Sequence, residues 1–380
     1  IVAASPLALN PCFLECLTYK FEAPYMALSV LFGFLPFLFF HGSTILYAGT
    51  SVFFTLCICL SYQTSVCIYP MMTAFLILTE WDRGRDRGCL LRRVLVSVSA
   101  FLAGLLLFKV LVLDRPSFLN VPGILPFREM IPGYIGNMQR YFHLLLTWQP
   151  KLWILLSGLL AASALFLFVK NTAGNRVAAA LLFAACLAVM LAVSFGAFAF
   201  VREPQYLPRS MYGTGILCAI LSAYVASLKP DVYAWCGRGV CILLAWCFFV
   251  FAFQYGNALA EQKRYIDFRI QLVMNDLINT DVMRTEGEKY FQLSGTAGNA
   301  DMLDKMNYDM VRVLTQIRFG EGDGWGTIYF KEYFDLESTA NLKLADIGTD
   351  LTRMELPLLA DTPYHRIYGA FPYILIELLP

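Results

Sequence analysis

Eight runs of this chain are long and apolar enough, or nearly so, to cross a lipid bilayer, and no other feature limits the possible folds so strongly. They cover roughly residues 25–40, 44–60, 62–79, 94–113, 152–169, 177–200, 213–228 and 239–257; a helix needs about 20 such residues to span the hydrocarbon core. Residues 1–9 read as the end of a ninth apolar helix and the chain opens on Ile1 rather than Met, so the expectation is that its true N-terminus is missing. Only 15% of the residues are charged, against about 25% in an ordinary soluble domain, which excludes one large water-soluble core.

Charge divides the chain in two. From Gln254 onward there are 19 acids and 12 bases, whereas the preceding residues hold 9 acids and 17 bases. All eleven cysteines precede Tyr255. The last third is therefore not a disulfide-stapled fold, and the cysteines in apolar runs read as small hydrophobes.

Loops rich in Lys and Arg are retained in the cytoplasm. Loop 81–93 carries Arg83, Arg85, Arg87, Arg92 and Arg93 against Asp82 and Asp86. With that loop inside, alternation puts the short basic connections 170–176 and 229–238 inside as well. Segments 10–24, 114–150, 201–212 and everything after about residue 258 then lie outside. The expected fold class is an α-helical polytopic membrane protein over residues 1–257, with a small α/β extracytoplasmic domain over 258–380. In a bacterium this is a multi-pass protein of the inner membrane with a periplasmic C-terminal domain.

Ionisable residues are nearly absent from the spans. Lys109 is close enough to a helix end to snorkel, and His41 and Glu80 stand at helix ends. Ion-coupled transporters place acids or histidines at mid-membrane, so the chemistry is expected at the outer surface.

Four outer features can carry it. In segment 10–24, Glu15, Tyr19 and Glu22 recur at i, i+4 and i+7, so the two carboxylates share a helix face and are candidate bases, or are simply solvated. Cys12 and Cys16 have the same spacing with no His or further Cys beside them, so no metal site is assigned. Loop 202–209 sets Arg202 and Arg209 around Glu203. A guanidinium fork matches a pair of phosphate oxygens, which makes the two arginines, with Lys20, candidates for a donor phosphate; interfacial anchoring is the other reading. Residues 133–148 show helical apolar spacing, with Asn137, Gln139, Arg140 and His143 between, and predict an amphipathic helix in the outer interface, either a lid or the wall of a lipid groove. Tyr62 and Gln63 at the start of the third span, Tyr206 in the arginine loop and Trp325 in the glycine-rich stretch 320–326 are the candidate substrate-binding residues. That stretch lacks the spacing of a nucleotide motif. In the polar third, residues 261–277 predict a helical extension of the last span, 289–294 and 371–378 strands, and 301–317 a helix.

These pieces resemble the bacterial and phage type II glucosyltransferase family, integral membrane enzymes that include O-antigen-modifying, serotype-converting members. The resemblance is carried by Asn10-Pro11 with Phe13-Leu14, by Tyr19-Lys20-Phe21-Glu22 followed by Met26-Ala27-Leu28, and by Tyr62-Gln63. Pro208-Arg209, segment 262–277, segment 295–299 and Trp325-Gly326 followed by Tyr333 extend it over nearly the whole chain. It implies a GT-C type glycosyltransferase that moves a sugar, glucose by family, from a polyprenyl-phosphate donor to O-antigen of lipopolysaccharide or another surface glycan outside the cytoplasm. Such enzymes use an acidic base on an earlier outer loop, which lies before this chain; Glu22 stands where the family shows Asp. No cofactor, nucleotide or metal is implied. The implied partners are the polyprenyl-phosphate sugar, a glycan acceptor, membrane lipids, a donor-synthesising glycosyltransferase and a flippase, with no nucleic acid among them. Two other classes stay open: a lipid-linked oligosaccharide exporter or flippase, which needs a polar path through the spans, and a polysaccharide polymerase or ligase.

Overall fold

The computed structural model describes residues 1–113, 123–306, 309–315, 318–320, 324–345 and 349–380. They divide into two compact units, Ile1–Ala252 and Phe253–Pro380.

The first unit is built of helices. Thr44–Ser61, Arg87–Leu113, Lys151–Asn171 and Val232–Leu277 are long and apolar enough to cross a membrane, and Ala23–Phe39, Arg176–Ala192 and Gly213–Ser227 are shorter apolar helices. Ile68–Asp82 completes the set of eight apolar runs. Two runs are interrupted at the ends expected to face outside. Tyr62 is extended, with φ −153°, and leads into a 3-10 turn at Gln63–Cys67 before the helix resumes. The run expected over 177–200 ends as a helix at Ala192 and re-forms as a 3-10 turn at Gly196–Phe200. The break turns on Gly196, whose φ of +56° is open mainly to glycine. A Cβ there would lie 2.6 Å from the carbonyl oxygen of Thr64, so the same glycine lets the two turns touch.

Near the start, Ser5–Leu9 is a short helix. Asn10 then caps the helix Pro11–Thr18, its side-chain oxygen accepting from the Cys12 N–H at 2.9 Å, and Pro11 supplies the preset φ of a first helical residue. The cap is seated against Gly215, where a Cβ would lie 2.5 Å from the Asn10 Cβ. The amphipathic helix expected over 133–148 runs from Met130 to Trp148 and buries Met138, Tyr141 and Leu145 on one face. Residues 114–122 of the same expected loop lie outside the described residues.

The helix Thr44–Ser61 separates two polar ends of this unit by its own length, about 27 Å at 1.5 Å per residue. His41, Glu80, Arg85 and Arg93 gather at one end, and Lys170 pairs with Asp231 elsewhere among the connections expected inside. Tyr62, Arg209 and Glu15 gather at the other.

The second unit holds a five-stranded sheet of order β2-β1-β5-β4-β3, with β1 at Lys289–Gly295, β2 at Leu342–Leu344, β3 at Leu358–Asp361, β4 at His365–Ala370 and β5 at Tyr373–Leu378. Strand β1 is parallel to β2 and β5, whereas β4 is antiparallel to β3 and β5. Ile266, Ile270, Val273 and Leu277, one stripe of the long helix, share a core with Phe291, Leu293, Ile374 and Ile376 of the strands. Arg269 sits fully buried on that helix. It donates to the Tyr265 hydroxyl at 2.5 Å, to the carbonyl oxygens of Ala297 and Tyr364 at 2.7 Å each, and to that of Leu379. The helix expected over 301–317 is instead two short pieces, Asp301–Asp304 and Asp309–Leu314, with 307–308 and 316–317 outside the described residues. The glycine-rich stretch is a helix from Gly324 onward, Gly324–Tyr333, and 321–323 lie outside the described residues.

Candidate functional site

Glu15 is the most deeply buried acid of the segments expected outside, only 1% exposed. It projects from the helix Pro11–Thr18 toward the turn Pro208–Ser210. The Arg209 main-chain N–H donates to its Oε2 at 2.5 Å, and the Arg209 guanidinium stands 3.6 Å from its Oε1. Oε1 is buried with no hydrogen bond of its own. Removing a carboxylate from water favours its neutral form; burial therefore pushes the Glu15 carboxyl up to about 7, against the lowering pull of the Arg209 N–H and charge.

The helix ends at Thr18, so the helix face expected to join Glu15, Tyr19 and Glu22 is broken at Tyr19. Tyr19 accepts a hydrogen bond from the Arg209 guanidinium and also carries that group over its ring, 4.5 Å from the centroid. Burial raises the Tyr19 hydroxyl, with Arg209 opposing and Glu15 and Glu22 adding to the rise. Glu22 is thus within electrostatic reach of the same cluster. It is exposed and stands as N-cap of Ala23–Phe34, with exposed Lys20 two residues earlier in the turn. Tyr62 closes the other side by donating to the Arg209 carbonyl oxygen at 3.2 Å. Its ring stacks on Tyr212, with centroids 6.2 Å apart, and the Tyr212 hydroxyl is shared with Ser65 at 2.5 Å. Three segments distant in sequence therefore meet at Arg209, whose side chain keeps 21% of its surface exposed. Its free edge is available to an anion.

The arginine loop divides into two halves with different partners. Arg202 is exposed, its main-chain N–H donates to the Gly123 carbonyl at 2.9 Å, and no ion pair of its side chain is found among the described residues. Tyr206 faces the amphipathic helix. Its hydroxyl donates to Asn137 Oδ1 at 3.0 Å and the Arg140 guanidinium lies 4.6 Å above its ring. Asn137 in turn donates to the carbonyl oxygens of Ala199 and Val201, at 3.0 Å each. The structure thus brings Glu15, Arg209 and Tyr62 together, with Lys20 and Glu22 on the adjoining turn. Arg202 and Tyr206 belong to a neighbouring contact with the helix Met130–Trp148. Gln63 follows Tyr62 in the 3-10 turn, half-buried. Trp325 falls in the helix Gly324–Tyr333, and its side chain lies outside the described residues.

Asn137 and Arg140 were legible only as polar positions of an amphipathic helix. Their i, i+3 spacing puts them on one face, which is the signal that identifies them once Tyr206 is known to pack there. Among the described residues no group of three or more His, Cys, Asp or Glu is arranged to hold a metal ion. Cys12 and Cys16 are fully buried, and burial raises both thiols.

Residues 1–220 match the protein family described as Glucosyl transferase GtrII, a stretch that contains every candidate site residue above except Trp325. No curated protein and no solved structure matches the chain.

Proposed function

The chain belongs to the GtrII glucosyl transferase family, and from that premise we propose that it moves glucose from a polyprenyl-phosphate carrier to a surface glycan, O-antigen among them, at the extracytoplasmic side of the bacterial inner membrane. The observation that carries the reading is the Glu15–Arg209–Tyr19 cluster: a partly exposed guanidinium held from behind by a buried carboxyl and a tyrosine. A fixed guanidinium edge at headgroup level is what a lipid phosphate requires.

In this reading Arg209, assisted by Lys20, meets the donor phosphate. Glu15 is 1% exposed, so it acts as a positioning residue that sets the direction of Arg209. The accessible carboxylate of this chain is Glu22, which borders the acceptor hydroxyl; the proton of that hydroxyl goes to the family's carboxylate base as the oxygen attacks the anomeric carbon. The bond from that carbon to the phosphate oxygen breaks, and its electron pair leaves with the polyprenyl phosphate, whose charge Arg209 balances. Tyr62 and Gln63 border the sugar, and Tyr206 with the helix Met130–Trp148 borders the lipid. The C-terminal domain lies outside the cytoplasm. The donor and acceptor are its partners, and neither nucleotide nor other cofactor enters the step.

The side assignment has its own support. Contacts between connecting segments join those expected on the same side: segment 10–24 meets 208–210 and Tyr62, residues around Gly123 meet Arg202, His41 meets Glu80 and Arg85, and Lys170 meets Asp231. The exporter reading gains nothing comparable from the spans.

The test supplies membranes containing the protein with radiolabelled polyprenyl-phosphate glucose and a glycan acceptor. Label should enter the glycan and fall away in the Arg209→Gln variant. Label that stays on the lipid while the lipid changes leaflet would replace this reading with the exporter.

A further inference from the structure

The opposite polar end of the first unit holds a second cationic recess that the transfer reaction does not use. It is lined by Phe40, His41, Glu80, Arg85, Leu90 and Arg93, with Cys89 at its rim. Glu80, only 2% exposed, is already doubly paired: Arg83 reaches its Oε1 at 2.9 Å and the Arg85 Nε reaches its Oε2 at 2.6 Å. That leaves a surplus of positive charge carried by Arg93, with His41 beside it, 3.9 Å from Glu80.

Arg93 is fixed in place. Its Nη2 donates to the Gly42 carbonyl at 3.1 Å and its guanidinium lies over the rings of Phe40 and Tyr47, at 5.6 and 5.9 Å. Its Nη1 is buried and has no hydrogen-bond partner. A buried donor on a charged group left unpaired is costly, and an anionic oxygen is the acceptor that would satisfy it best. The recess is small, with a free volume of about 20 Å³, room for a single oxygen-sized group and not for a sugar ring. Next to it Leu91, Leu95, Val98 and Leu102 stand exposed at i, i+4, i+7 and i+11 along the helix Arg87–Phe108, one face on which an acyl chain can lie.

We propose that this recess binds the phosphate of an anionic phospholipid, with Arg93 donating Nη1 to a phosphate oxygen, Arg85 adding charge, the His41 ring offering a further polar contact, and an acyl chain on the Leu91–Leu102 stripe. The site belongs to the side that carries loop 81–93, the cytoplasmic leaflet of the topology above. It is independent of the transfer reaction and falls or stands without it.

The experiment uses the full chain in nanodiscs and reads competition of phosphatidylglycerol against phosphatidylcholine by native mass spectrometry. Phosphatidylglycerol should be preferred by about fivefold: both lipids offer a phosphate oxygen to Nη1, but the cationic choline of phosphatidylcholine is repelled by the arginines of the recess, an effect of about 1 kcal/mol. The preference should be lost in Arg93→Gln and reduced about two- to threefold in His41→Gln, whose exposed side chain keeps folding out of the comparison. Arg92→Gln, an exposed arginine outside the recess, should leave it intact. Equal losses in Arg92→Gln and Arg93→Gln would mean general attraction to a basic loop and overturn the site. Displacement of the lipid by glycerol phosphate at matching concentration would assign the recess to a soluble phosphate ester and overturn the lipid.

Discussion

Arg209 grips Glu15 across 194 residues of sequence, by its main-chain N–H at 2.5 Å and by its guanidinium at 3.6 Å. The two contacts act on different parts of the same residue. The first fixes the backbone of the turn Pro208–Ser210, and the second aims the side chain, so the carboxyl decides both where the arginine is and which way it points.

Replacing Arg209 should therefore be costly in a way that replacing Arg202 is not. Loss of a charge-assisted contact amounts to about 1.5–3 kcal/mol, or roughly 10- to 100-fold in rate constant. We expect that fall in label transfer for Arg209→Gln and a change of no more than a few-fold for Arg202→Gln. Comparable falls in both variants would move the phosphate site to the whole loop.

The pH dependence follows from Glu15. Burial raises its folded-state pKa to about 7, so the carboxylate that attracts the Arg209 charge is present above that value and lost below it. Transfer should decline as pH falls through 7 at constant donor, and Glu15→Gln should flatten that limb while raising the apparent donor constant. A limb that persists unchanged in Glu15→Gln would assign the titration to another group.

Stability runs in the opposite direction. An unfolded Glu titrates near 4.3, so between about 4.3 and 7 the folded chain holds a proton that the unfolded chain has released. Stability from this group is fully present below that window and is lost as pH rises through it, by up to about 4 kcal/mol. The melting temperature of the detergent-solubilised protein should thus fall from pH 5 to pH 8 relative to that of Glu15→Gln.

Asn137 ties the amphipathic helix to the arginine loop with three hydrogen bonds, to Ala199, Val201 and Tyr206. Asn137→Ala should destabilise the first unit by about 2–3 kcal/mol, the sum expected of such bonds when their partners stay half-buried. Hydrogen exchange should rise over 199–206 while the end containing His41 and Glu80 keeps its protection.

In the second unit, Arg269→Met removes a buried charge that satisfies four acceptors. The Leu379 carbonyl oxygen would lose its donor, while those of Ala297 and Tyr364 keep the Tyr265 hydroxyl and the Leu379 N–H, a change expected to cost about 1.5–3 kcal/mol. Limited proteolysis of the full chain should then cut within 289–378 while wild type resists. The adjacent His365, which burial holds below the usual range despite Asp276 at 3.0 Å, should exchange faster as well.

The sequence by itself determined the helical runs, their order, the amphipathic helix over 133–148, the continuation of the last span to Leu277 and the strands over 289–294 and 371–378, to within a few residues at their ends. Each of these is a periodicity or a run length, and local periodicity survives any tertiary arrangement. It also carried the family, through short motifs in a fixed order. Tertiary structure alone decided that Glu15 pairs with Arg209 rather than standing in water, that Arg202 and Arg209 serve different neighbours although seven residues apart, and that Arg93 keeps an unpaired donor in a recess. Such choices depend on which helix ends the bundle brings together and on how much water it removes from each charge. Neither quantity is written in the spacing of residues along the chain: Gly196 and Gly215 read as ordinary apolar-helix glycines until the close approach of Thr64 and Asn10 gives each its reason.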